Sequence, residues 1–138
     1  MGLGWHVALQ SPIAGVNPAD VDGKALIHRQ RDLDELARRL GVEPLSHFVS
    51  ANPEALARYL AQQGLDATAY SVPEEEWFAA ADGLKTVCRL RAELRSRPDA
   101  VLDSQRILRD LEAIERILQA AAAADVAFHL ASTMPTLQ

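Results

Sequence analysis

The chain has 138 residues and a single cysteine, Cys88. One thiol cannot form an intramolecular disulfide, which suits a reducing compartment and leads us to expect a cytoplasmic protein. Aromatic residues are only 5% of the chain, so the core must be built from leucine, isoleucine, valine and alanine. No window approaches the roughly eighteen consecutive apolar residues of a membrane span. The opening "MGLGWHVALQSP" lacks a basic segment and a long apolar run, so no secretory signal is expected. Basic charge is also scarce. Lysine and arginine number 14 against 19 aspartates and glutamates, a formal net charge of −5. Nucleic acid and anionic membranes both attract basic surfaces, so neither is expected as a partner. Basic protein partners remain open. There is no CxxC, no histidine pair at helical metal spacing, no P-loop, no GxGxxG and no GxSxG. No cofactor is expected.

Hydrophobic residues make up 49%, enough for one folded domain over residues 1–138. "GWHVALQ" alternates, with Trp5, Val7 and Leu9 on one side and His6, Ala8 and Gln10 on the other. Period two predicts a strand with one face buried. "DVAFHLAST" alternates in the same way near the other end. Between them lie helical patterns. Residues 29–40 carry a stripe of Leu33, Leu36, Ala37 and Leu40 before Gly41, with Asp34–Arg38 and Glu35–Arg39 as i,i+4 pairs. "NPEALARYLAQQG" has Asn52 as a cap candidate and Pro53 at the first helical position. A third helix runs through Leu84, Val87, Leu90 or Arg91, and Leu94 to a stop at Pro98. The longest carries Ile107, Leu108, Leu111, Ile114 and Leu118, with Asp103 as its cap and Glu112–Arg116 as a solvent pair.

A lone strand cannot satisfy its own backbone groups, so the two terminal segments are expected to pair. "TAYSV" is a candidate third strand. The fold class is therefore α+β, mainly helical with four to five helices and a small terminal sheet. An all-helical bundle is the alternative.

"VPEEEWFAAADGLKTVCRLRAEL" concentrates the chemistry. Glu74, Glu75 and Glu76 lie beside Trp77 and Phe78. Successive helical residues point about 100° apart, so three in a row cannot converge on one substrate. After Pro73 they read as a helix start, complementing its dipole. Trp77 and Phe78 read as anchoring that short helix on the core; if exposed instead, they and the acidic run would be the contact patch for a partner. Cys88 reads as a buried, inert thiol, with Arg89 and Arg91 on the solvent side. The arginines of "CRLRAELRSR" read as a solvated helix face. His6 and His129 fall on the polar faces of the two terminal strands. Cross-strand neighbours could bring the rings together, and with a carboxylate they could hold a metal; two solvated histidines are the plainer reading. His47 reads as a hydrogen-bonded loop histidine.

From the first helix onward the chain resembles a group of small bacterial proteins with no established activity. "LGVEPLSHFVS", "WFAAADGLKTV", "RPDAVLDSQRILRDLEAIERIL" and the ending "FHL" carry the resemblance, over most of residues 26–130. It suggests a stand-alone bacterial protein, supplies no catalytic residues and says nothing about substrate.

With no converging catalytic set, a non-enzymatic binding protein is expected, one that masks or regulates a protein partner in the manner of an immunity protein. Two alternatives stand beside it. One is a small enzyme or metal-binding protein using His6 and His129. The other is an oligomeric structural protein, such as a homodimer formed through the Ile107–Leu118 face.

Overall fold

The alternating segments at the two ends meet as an antiparallel pair in the computed structural model, which describes residues 4–18, 21–50, 53–65 and 75–132. β1 (Trp5–Leu9) and β2 (Phe128–Ser132) pair in a register that sets Val7 opposite Leu130 and Leu9 opposite Phe128. Trp5, Val7, Phe128 and Leu130 share one face and are at most 3% exposed. Removing that apolar face from water is what holds the pair together.

β2 is not the one-sided strand its alternation implies. His129 is 0% exposed and Ala131 6%, so both faces are buried. The reason is a second flank. Opposite β1, Phe78 bridges Phe128 and Val49 bridges Leu130. β2 therefore runs through the middle of the assembly, where both faces find cover.

The helices are α1 (Lys24–His28), α2 (Gln30–Leu40), α3 (Pro53–Gln62), α4 (Ala80–Ser96) and α5 (Ser104–Ala123). Short 3-10 turns span Leu45–Phe48 and Pro98–Ala100. The fold is α+β and mainly helical, not a bundle. α2 matches the expected pattern and ends on left-handed Gly41. Its inner face buries Leu33, Leu36 and Ala37 and draws Asp34 in with them. Asp34 then accepts a 2.8 Å hydrogen bond from the Ser46 hydroxyl, instead of facing Arg38 in solvent. Pro53 opens α3 as expected. Its cap candidate Asn52 lies outside the described residues, as do "TAYSV" and Glu74.

α5 is the central helix. Ile107, Leu111, Ile114 and Leu118 are all 0% exposed and face the core that Val87, Leu90 and Leu94 of α4 also enter. The stripe considered for self-association is thus consumed by the chain's own core. Asp103 stands at the cap position of α5, but its carboxylate pairs with Arg29 at 3.3 Å.

α4 and α5 lie antiparallel. The α4 arginines keep to a solvated face, with Arg89, Arg95 and Arg97 exposed and Arg91 half-buried. Arg95 reaches Glu112 at 2.8 Å, and Arg91 reaches Glu115 at 3.2 Å. Glu112 faces across to α4, so its main partner is not Arg116 on its own helix. Two positions one turn apart on each helix explain both ties.

Asp110, on α5, is buried and accepts a backbone hydrogen bond from Gly23. Burial, helped by nearby Asp22, pushes its carboxyl above the ordinary value, while the Gly23 bond and Arg109 pull the other way. A carboxyl raised on folding costs stability once it ionises, so that cost appears as pH rises from the unfolded value toward the folded one. Asp110→Asn keeps an acceptor for Gly23 and removes the charge. Denaturation at pH 7 is expected to show it neutral or slightly stabilising, with the advantage gone at pH 3. A large loss at pH 7 would count against this account.

Candidate interaction site

The segment from Glu75 to Phe78 is the part of the chain that departs furthest from expectation. It is not a helix start. Residues 75–77 are non-helical, Phe78 forms a bridge, and α4 begins only at Ala80. The backbone of Phe128 explains this. Its N–H and C=O face away from β1 and need partners inside the fold. Phe78 supplies both, accepting from the Phe128 N–H at 2.9 Å and donating to its carbonyl at 2.8 Å. A helical Phe78 could not do so. The Glu76 N–H donates to the Ser50 hydroxyl oxygen at 2.7 Å, which fixes the segment at a second point.

Side chains hold it at a third. The Glu75 carboxylate lies 2.7 Å from Nε2 of His129, and the Trp77 indole packs on the same imidazole with ring centroids 4.7 Å apart. Together they cover a histidine expected to be solvated. Nδ1 of His129 faces the Leu130 carbonyl at 3.2 Å. Both ring nitrogens therefore meet oxygen acceptors, and a substrate reaches neither. His6 lies on the same sheet face, diagonal to His129 through the Ala8–His129 and His6–Ala131 pairs. Burial, and then the charge of His129, hold the His6 imidazole below its ordinary value. So the two histidines are neighbours, as cross-strand placement allowed. Among the described residues, no group of three histidine, cysteine or acidic side chains is arranged to hold a metal ion.

Of the sequence-predicted patch, Glu75, Trp77 and Phe78 are half-buried and Glu76 is exposed. The segment parts two open cavities. The larger, about 760 Å³, lies between the end of α2, the Leu45–Phe48 turn and the start of α4. Its aromatic floor is His47, Phe48 and Phe78, with the His47 and Phe48 rings edge to face at 5.1 Å. Arg38 and Lys85 line it with Glu43 and Asp82, so charges of both signs are balanced there. The smaller, about 420 Å³, runs beside Trp77 between the ends of α4 and α5 and includes Gln10 and Asp125. Neither Gln10 nor Asp125 was singled out from sequence. Asp125 lies 48 positions from Trp77, and no local pattern joins them.

Cys88 belongs to neither cavity. Cys88 is half-buried, where the sequence reading expects a buried thiol, and it donates to Glu115 Oε1 at 3.2 Å at the α4–α5 seam. Desolvation, then the Glu115 hydrogen bond and charge, push the thiol above its ordinary value, with Arg91 opposing. A thiol held protonated is a poor nucleophile. Alkylation by iodoacetamide at pH 8 is expected to be slower for Cys88 than for a free thiol, and faster again in Glu115→Gln. Equal rates in both forms would show that Glu115 does not hold the proton.

No protein-family model matches the chain, and neither the curated proteins nor the solved structures yield a significant match.

Proposed function

We propose that the chain is a non-enzymatic protein-binding module whose contact edge is Glu75–Phe78. One observation carries the reading. A short non-helical segment is pinned by backbone pairing, by Ser50 and by His129, and yet it leaves Glu76 exposed and the Trp77 indole half-exposed. Pre-organised aromatic and acidic side chains on a rigid edge are what a protein contact uses, because little ordering is left to do on binding. The same geometry argues against acid–base chemistry at His129, which is 0% exposed with both ring nitrogens engaged. An acidic module that masks a basic surface, as an immunity protein does, fits the net charge of −5.

The test is a paired capture from native lysate with the full chain and with Trp77→Ala, after thermal melting has shown both to be folded. A stoichiometric protein bound by the first and lost from the second supports the reading. A partner retained equally by both overturns this edge as the contact.

A further inference from the structure

We infer that the smaller groove beside Trp77 seats a lysine- or arginine-bearing segment of a protein partner. This rests on the binding reading above and adds the chemistry of what binds. The contrast between the two grooves carries the choice. The larger one mixes Arg38 and Lys85 with Glu43 and Asp82 and favours neither sign. In the smaller one Asp125 is the one ionisable residue among the described lining residues. Asp125 is exposed and forms no ion pair with any described residue. An unpaired carboxylate at an otherwise uncharged groove is complementary to a cation.

The remaining lining fits the rest of such a side chain. Ala81, Ala122 and Ala127 leave room for an alkyl stem, which long basic side chains lay along apolar surface while the charged head stays wet. Trp77 forms a wall of the same groove, and an indole face attracts a cation. A planar guanidinium meets both demands, stacking on the ring and donating two hydrogen bonds to a carboxylate. The first turn of α4 also borders the groove, but its positive end is already opposed by Asp82 in that turn. The net charge of −5 would draw a basic segment in from a distance.

The experiment titrates the full chain with a six-residue peptide carrying two arginines among alanines and leucines, and with the same peptide carrying citrulline for arginine. The indole N–H resonance of Trp77 is the readout. Citrulline keeps the shape and removes the charge. The expected result is a saturable shift with the arginine peptide, weakened about fivefold or more by citrulline. Asp125→Asn should weaken the arginine peptide by a similar factor, and raised salt should weaken it too. Asparagine tolerates the left-handed backbone at Asp125 (φ 55), so this variant keeps the fold. Equal binding of both peptides overturns the assignment, as does no shift with either. If the arginine peptide does not bind while capture still depends on Trp77, the binding reading stands and this inference alone falls.

Discussion

Gly23→Ala is expected to destabilise the fold by at least about 3 kcal/mol, against about 1 kcal/mol for Gly41→Ala. Both glycines are left-handed, with φ of 70 and 77. Each substitution therefore incurs the same backbone strain, of order 1–2 kcal/mol. The surroundings separate them. A Cβ on Gly41 meets nothing within 4 Å, whereas one on Gly23 would lie 1.8 Å from the Trp5 carbonyl oxygen and 2.5 Å from its nitrogen. Those are backbone atoms of β1. The Trp5 N–H also donates to the Gly23 carbonyl at 3.2 Å, so the close approach is part of how β1 is held. Relief would require moving Trp5, which is 3% exposed, out of its register with Ser132. In a chain of this size about 3 kcal/mol lowers the melting temperature by roughly 10 °C. Urea denaturation of the two variants side by side is the measurement. Similar losses at both positions would show that β1 can shift away from Gly23 at little cost.

What could be read from sequence, and what could not, follows from the range of each signal. The terminal strands were legible because alternation is local, and their pairing followed from backbone satisfaction. The α5 stripe from Ile107 to Leu118 was legible because helical periodicity persists over several turns. The segment before α4 reads as a helix start because the cause of its actual course is remote. Pro73 and three glutamates satisfy every local rule for a helix start. The competing demand is the unpaired backbone of Phe128, fifty residues away in sequence, and it takes Phe78 out of any helix. His129 follows from the same event. Its strand position marked it as polar and outward, and it is Glu75 and Trp77, displaced from that expected helix, that cover it. The ties of Arg91 and Arg95 to α5 are not legible in the sequence, because a single helix shows only its own i,i+4 neighbours. Which face of α4 meets α5 is a tertiary fact. The acidic-aromatic patch survives as residues but changes in kind, from a helical face to a non-helical segment bridged to β2 at Phe78.

Glu75→Ala is expected to cost about 2 kcal/mol and Glu75→Gln less than about 1 kcal/mol, a difference that isolates the Glu75–His129 contact. With alanine, the buried Nε2 of His129 loses its oxygen partner, and an unsatisfied buried donor costs about 1–3 kcal/mol. Glutamine keeps an oxygen at the same reach and gives up only the charge. Glu75 is 27% exposed, so water screens part of that charge and its loss is cheap. His129→Phe keeps a ring of similar size under Trp77 and removes both nitrogens. Combined with Glu75→Leu, it removes donor and acceptor together, and the pair should then cost less than the sum of the single changes by about 1–2 kcal/mol. Amide exchange at Phe78 reads the consequence for the edge. Its N–H donates to Phe128 at 2.8 Å, so protection there should fall in Glu75→Ala and hold in Glu75→Gln. If neither variant changes that protection, Glu75 does not pin the segment, and the backbone bridge to Phe128 alone positions Trp77. If protection falls and partner capture falls with it, the buried histidine acts through position: it sets the contact edge without touching what the edge binds.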